Sequence, residues 1–346
     1  MNSLIFKSSM RPLGGVPRAL SCLSVLGRLS VLGCLSFSVA CGGSKPAAET
    51  PEENSALPPD EPAEEEVAPS SAEVKRAADL IKAQKFDEAA DILAKETQTA
   101  PKDPQAAFFY GVALEGIGKA PQAEAEYRRA ITLDPKLIES SQNLSALLLS
   151  LEKNEEALKI TEAALEHAPK DPALLANRAI ALDMLGRPEA VGAYEQLLEV
   201  KPDDQANRFN YAVALYLNKR VDEAKAQLGQ IKSTDLALLS DVEKLYVEMK
   251  DFAGCLQLWD GVIAQSKSAD ALTHRARCKL MSGDKASAEK DLKEALTVDP
   301  ASAIAHFYYG KMLQKDGKKD AAKSHFQAAV KADPSGNFGK AAQAEL

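Results

Sequence analysis

The sequence predicts an all-α fold: an array of about eight helical hairpins stacked in series, preceded by an export signal and a disordered acidic linker. Two ladders carry this. Pro101, Pro135, Pro169 and Pro202 stand 34, 34 and 33 residues apart, and Pro300 and Pro334 are again 34 apart. Each closes a helical stretch, because proline lacks the amide hydrogen and its ring clashes with the preceding turn. Beside them Ala89, Ala123, Ala157, Ala190, Ala224, Cys255, Ala288 and Ala322 follow at steps of 34, 34, 33, 34, 31, 33 and 34, so the period persists where the prolines vanish. Such an interval holds one helix, a turn and a second helix, a unit that cannot bury its apolar face alone and must lean on its neighbours.

In chain order, residues 1–40 come first. They carry Lys7, Arg11, Arg18 and Arg28 without an acidic residue, and end in a largely apolar run from Leu29 to Ala40. This is the pattern of an export signal, since crossing a bilayer needs about 20 apolar residues. Ser38, Val39 and Ala40 before Cys41 resemble the bacterial lipobox, in which that cysteine is lipidated and becomes the first residue of the mature chain. The lipobox pattern prefers leucine where Ser38 stands. Val31, Leu32 and Gly33 before Cys34 form a rival lipobox, with Arg28 interrupting the apolar stretch ahead of it, and an ordinary secretory signal or an uncleaved anchor is the remaining alternative. Cys41 is the lipidation site carried forward.

The next segment, 41–69, is rich in proline and glutamate and almost without large apolar groups, so it cannot offset the entropy of folding and is expected to be a disordered tether. As a flexible coil it would span about 30 Å. In the lipoproteins it resembles, glycine after the cysteine goes with delivery to the outer membrane. The expected location is therefore the bacterial envelope, on the outer membrane and facing the periplasm.

From residue 70 the hairpins are expected at about 70–103, 104–137, 138–171, 172–204, 205–235, 236–268, 269–302 and 303–336, with 337–346 as a capping segment. Eleven or twelve residues before the alanines stand small residues: Ala77, Gly111, Ser145, Ala179, Ala212, Ala276 and Gly310. Two helices cross closely only where neither presents a large side chain. On the first helices, Tyr110 with Leu114, Leu144 with Leu148, Tyr211 with Leu215 and Tyr309 with Leu313 are four apart, so each pair shares a core face. On the second helices Tyr127, Tyr194, Leu228, Trp259, Leu292 and Phe326 fill the space against the next hairpin. Gly118, Gly186, Gly283 and Gly317 sit where first helices end, in the left-handed cap. Asp103-Pro104 and Asp171-Pro172 read as N-cap and first helical position.

This succession of small, tyrosine or leucine, glycine, alanine, aromatic, alanine and proline resembles the tetratricopeptide repeat from about Ser70 to Gly336. Tyr110, Gly111, Leu114, Gly118, Ala123, Tyr127, Ala130 and Pro135 match nearly the full pattern, as do Tyr309, Gly310, Leu313, Gly317, Ala322, Phe326, Ala329 and Pro334. The resemblance implies a right-handed α-solenoid. One region departs from it: the fifth and sixth repeats lack the closing proline, the step from Ala224 to Cys255 is three short, and Glu243 holds a position that should be small. A looser joint is expected near Lys232 to Asp241, dividing the solenoid into two lobes.

Charge and motif content narrow the function. Removing the four positive charges of the signal takes the formal net charge from −8 to −12, which disfavours nucleic acid as a partner. His167, His274, His306 and His325 are scattered, no cysteine or carboxylate stands at metal-ligand spacing, and the glycines are spaced as helix ends, not as a phosphate loop. No enzyme activity, cofactor or metal is expected. Cys255 and Cys278 read as two buried thiols, with a disulfide between neighbouring hairpins as the alternative in an oxidising envelope.

Binding is then expected in the groove. In the repeats this chain resembles, the first helices line the concave face and expose positions two, five, six, nine, twelve and thirteen of each unit. Position six holds Asn143, Asn177 and Asn210 in three successive repeats. In relatives such a ladder bonds the backbone of an extended peptide, since an amide offers both donor and acceptor. Asparagine there also belongs to the general repeat pattern, so a purely structural role is the alternative. Around it Phe108, Val112, Leu149, Ile180, Met184, Phe209, Val213 and Tyr216 would form an exposed apolar patch that favours a peptide or helix with hydrophobic anchors. Lys244, Arg277, Lys311 and Lys315 would give a basic end of the groove, or ordinary solvated charges. Phe108 and Phe209 stand where a carboxylate clamp for chaperone tails would want lysine.

The function expected is that of a membrane-anchored scaffold or adaptor, reaching the membrane through its lipid only. It would bind another envelope protein in the concave groove and assist assembly of a complex such as a pilus or secretion machine. In architecture it resembles pilotin-type lipoproteins. The alternatives are an adaptor that recruits or regulates an envelope hydrolase or protease, and a spacer with no dedicated ligand.

Overall fold

The computed structural model describes residues 71–346; the expected signal, Cys41 and the tether lie outside them. The described residues form seventeen helices and no strand. The described residues divide into two compact units, one ending at Lys201 and the other spanning Pro202–Leu346. In the first unit the helices are α1 (Ala72–Lys82), α2 (Phe86–Thr99), α3 (Pro104–Gly116), α4 (Ala120–Leu133), α5 (Ile138–Ser150), α6 (Asn154–His167), α7 (Pro172–Met184) and α8 (Ala190–Val200). In the second they are α9 (Gln205–Leu217), α10 (Val221–Leu228), α11 (Leu236–Glu248), α12 (Phe252–Gln265), α13 (Ala269–Ser282), α14 (Lys285–Val298), α15 (Ala303–Lys315), α16 (Lys319–Ala332) and α17 (Asn337–Gln343).

Consecutive helices pack as hairpins, α1 with α2 through α15 with α16, and α17 packs on the last pair. Within each unit the first helices also touch one another, as α1 with α3, α5 with α7 and α13 with α15. The fold is an all-helical tetratricopeptide-type array. Its first helices, α5 excepted, begin at capped ends: Asp103 accepts from the amides of Gln105 and Ala106, Asp171 from Leu174, Asp204 from Asn207 and Ser268 from Ala271. These side chains satisfy donors that the helix leaves without partners.

All eight first helices end the same way. A residue enters the left-handed region, and the amide after it bonds back to the carbonyl five residues earlier, as in Lys119 to Leu114 at 2.8 Å and Arg220 to Leu215 at 2.9 Å. Four of these residues are the expected glycines, Gly118, Gly186, Gly283 and Gly317, with φ of 76°, 68°, 92° and 76°. The other four carry side chains: Gln84, Glu152, Lys219 and Lys250, at φ of 59°, 59°, 66° and 56°. A Cβ there costs about 1–2 kcal/mol, so the close packing of the hairpin outweighs local strain.

The core lies at the crossings. A Cβ on Gly111 would stand 2.6 Å from ring carbons of Tyr127, and one on Gly310 would stand 2.7 Å from Phe326. Tyr127, Tyr194, Leu228, Trp259, Leu292 and Phe326 are all no more than 1% exposed. Of the paired first-helix residues, seven are buried, whereas Tyr110 is only half-buried against the first hairpin. Between α13 and α14 the buried Asp291 accepts from Arg275 Nε and Nη2, both at 2.8 Å, and from Lys279 Nζ at 2.7 Å.

The boundary between the two units falls after Lys201. Asp235 caps α11 by accepting from the Ala237 amide at 2.9 Å, which draws 236–241 into a helix and leaves 229–235 as the irregular stretch. Cys255 and Cys278 are not two thiols but a disulfide with Cα atoms 5.9 Å apart, both fully buried, joining α12 to α13. Among the described residues no helix is long and apolar enough to cross a membrane.

Candidate functional site

In the first unit, the first-helix residues expected in the groove divide into two sets. Phe108, Leu149, Ile180 and Asn177 are buried, while Val112, Asn143 and Met184 are half-buried. Phe108 packs its ring against Phe109 and Tyr127, with centroids 5.0 and 6.2 Å away. Asn177 donates to the Gln142 carbonyl at 3.1 Å and to Ser145 Oγ at 2.8 Å, and Ser145 Oγ donates to the Ser141 carbonyl. This amide therefore holds α7 against α5.

Asn143 differs. Its Nδ2 makes one long bond, 3.4 Å, to the hydroxyl of Tyr127, which itself donates to Glu115 Oε2 at 2.8 Å. Burial pushes the Glu115 carboxyl above its ordinary value, against the pull of the Tyr127 hydroxyl. The first unit thus sets a half-buried amide of α5 on the phenol of α4 and, through it, on a carboxylate of α3, the helix that also carries Val112.

In the second unit Phe209 is buried, and Asn210, Val213 and Tyr216 are half-buried. Asn210 Nδ2 donates to Asn207 Oδ1 at 3.3 Å, and Asn207 is itself tied to the cap residue Asp204. Among the cations, Arg277 approaches Glu243 Oε1 at 3.3 Å and lies 4.8 Å over the Tyr308 ring, and Lys311 donates to Glu345 at 2.9 Å. Lys244 is exposed and pairs with Asp241 at 2.8 Å; Lys315 is exposed.

The exposed apolar patch is thus corrected at Phe108, Leu149, Ile180 and Phe209, and the basic end at Arg277 and Lys311. Phe108, Leu149, Ile180 and Phe209 are interior, because close packing of neighbouring helices draws long apolar side chains at these positions into the contact. Arg277 and Lys311 are held by carboxylates of their own chain.

Other groups could not be read from spacing. Glu243, 1% exposed, accepts from Trp259 Nε1 at 3.1 Å and from His274 Nδ1 at 2.6 Å, both on Oε2. Ligand atoms of Glu243, Cys255 and Cys278 lie within 4.8 Å of one another, a grouping that residues 12 and 23 apart do not announce. His306 donates through Nε2 to the Pro300 carbonyl at 3.0 Å, and its Nδ1 shares a hydrogen bond with His325 Nδ1 at 2.8 Å. Burial and the neighbouring His306 push His325 below its ordinary value. A shallow cleft opens beside α10, lined by Leu228, Ile231, Leu239, Tyr246, Leu258 and Val262. The signal for it was the short step from Ala224 to Cys255: α10 has eight residues where α12 has fourteen.

A family profile described as tetratricopeptide repeat matches residues 74–138, 186–230 and 257–337. No curated protein is significantly similar to the chain. Among solved structures, MamA 41-end from Desulfovibrio magneticus RS-1 is 18% identical, with 46% of this chain and 94% of that one covered and a TM-score of 0.43. A tetratricopeptide repeat protein from Parabacteroides merdae ATCC 43184 is 19% identical over 79% of this chain and 96% of that one, TM-score 0.42. YrrB, described as a TPR protein with an unusual peptide-binding site, is 18% identical over 62% and 96%, TM-score 0.39.

Proposed function

The chain belongs to the tetratricopeptide repeat family, a scaffold fold that is typically non-enzymatic and mediates protein–protein binding, and on that premise we propose that it is a membrane-tethered adaptor for another envelope protein. Its ligand is a peptide or helix laid along the first-helix face, and its role is to assist assembly of an envelope complex such as a pilus or secretion machine. The observation that carries the binding face is Asn143: half-buried, with one 3.4 Å bond, its amide retains capacity for a peptide backbone. Val112 and Met184, half-buried on α3 and α7, supply apolar contact. The charged start, the apolar run and Cys41 support tethering through a lipidated cysteine and a place on the outer membrane.

Photo-crosslinking residues placed at 112, 143 and 184, and at the exposed Lys159 on α6, test the face in intact cells. The first three should yield the same discrete adduct and the fourth none, and Val112→Ser with Asn143→Ala should remove it while helical circular dichroism is unchanged. Equal yield at all four positions, or at none, would overturn this face. Labelling with a clickable fatty acid tests the anchor: label retained on Cys41→Ser would remove lipidation at that residue.

A further inference from the structure

We propose that Cys255, Cys278 and Glu243 form a redox-gated site for a thiophilic divalent cation of the zinc type. The three residues come from successive helices, α11, α12 and α13, and each is no more than 1% exposed. Their ligand atoms lie within 4.8 Å of one another. Zinc takes sulfur at about 2.3 Å and carboxylate oxygen at about 2.0–2.2 Å, which sets tetrahedral ligands roughly 3.5–3.8 Å apart, so small side-chain rotations suffice. Thiolates select this class of metal over magnesium or calcium.

Glu243 is prepared for the role. Trp259 and His274 both hold Oε2, which fixes the carboxylate as an outer shell fixes a ligand. Oε1 is buried with no hydrogen bond and only the Arg277 guanidinium at 3.3 Å. A buried acceptor left in that state calls for an explanation, and a metal bond supplies one. The charges also balance: two thiolates and a carboxylate carry three negative charges, met by the dication and Arg277.

The gate is the disulfide, whose sulfurs are not thiolates and do not bind such a cation. A dithiol reductant opens it by exchange. One of its thiolates attacks a cysteine sulfur and the other cysteine leaves as thiolate. The second reductant thiol then closes on the mixed disulfide, so two electrons and two protons pass to the cysteines and the reductant departs as a cyclic disulfide. The cation binds as both cysteine protons leave, forming two metal–sulfur bonds and one metal–oxygen bond, with water in the fourth position.

Cobalt(II) is the probe. The purified chain, reduced anaerobically with a dithiol and freed of it, should develop thiolate-to-cobalt charge-transfer absorption and tetrahedral d–d bands saturating at one cobalt per chain, displaced by zinc. The oxidised chain should develop neither. Cys278→Ser should abolish the charge-transfer band, and Glu243→Gln should weaken cobalt binding at least tenfold while both thiols still titrate and helicity persists. A reduced wild type with two titratable thiols and no such band overturns the site. So does Glu243→Gln binding as wild type does, and thiols that stay free under oxidising conditions overturn the gate. Should Glu243→Gln fail to fold, the wild-type titration decides alone.

Discussion

The carboxylate of Glu243 accepts the indole N–H of Trp259 at 3.1 Å across a helix crossing that the other seven hairpins close with alanine, glycine or serine. A side chain too large for the site is retained because the aromatic opposite it is the one type that donates a hydrogen bond from its ring. Glu243→Ala should therefore destabilise, despite restoring the small residue. It orphans the buried Trp259 and His274 donors and leaves Arg277 uncompensated, at a cost of about 3 kcal/mol. Trp259→Phe in the same chain should recover part of that loss, and urea unfolding of the double-mutant cycle should show coupling above about 0.5 kcal/mol. Additive losses would remove the pairing.

Gly111 makes the complementary case. Its Cβ would meet Tyr127 at 2.6 Å, so Gly111→Ala should cost about 1–3 kcal/mol although alanine is the better helix former. Tyr127→Leu in the Gly111→Ala background should lower that cost, and thermal unfolding checks both.

Lys219 and Glu152 hold left-handed conformations that glycine occupies in four other hairpins. Each changed singly to glycine should stabilise the fold by about 0.5–1 kcal/mol, the relief of the Cβ clash exceeding glycine's extra chain entropy. Gly118→Ala should lose a similar amount. A fall in the unfolding midpoint of Lys219→Gly would contradict the assignment.

Asp291 gives an acid-sensitive contact. Burial pushes its carboxyl up, but Arg275 and Lys279 pull harder, and the balance lies below the ordinary 3.8. A folded value under the unfolded one contributes stability above the unfolded value, and that stability is lost as pH falls through the folded one. Asp291→Asn should cost about 3–5 kcal/mol at neutral pH, with the difference from wild type narrowing only below the ordinary carboxylate range.

Glu115 has the opposite sign. Its raised value means the folded state favours the proton, a contribution present below 4.5 and lost as pH rises through the folded value. Glu115→Gln keeps an acceptor for Tyr127 and should raise the melting temperature at neutral pH. The gain should vanish in acid, and a gain equal at both would refute burial as the cause.

The period of prolines and alanines, the aspartate caps, the glycines at helix ends and the large residues of the second helices were legible because they obey rules of spacing within one hairpin. The same rules placed Asn143, Asn177 and Asn210 on first helices, and there their reach ended. Whether such an amide holds the next helix, as Asn177 does, or keeps bonding capacity, as Asn143 does, depends on what residues about 16 to 35 positions away present at the crossing. The same holds for Phe108 and Phe209, interior because neighbouring helices close over them, and for the meeting of Glu243, Cys255 and Cys278. By itself the sequence determined a repeating helical scaffold, since periodicity and capping are local. Only the tertiary structure decided which of its groups remain available, because contact between helices depends on side-chain volume at the crossing, and no single stretch of chain encodes that volume.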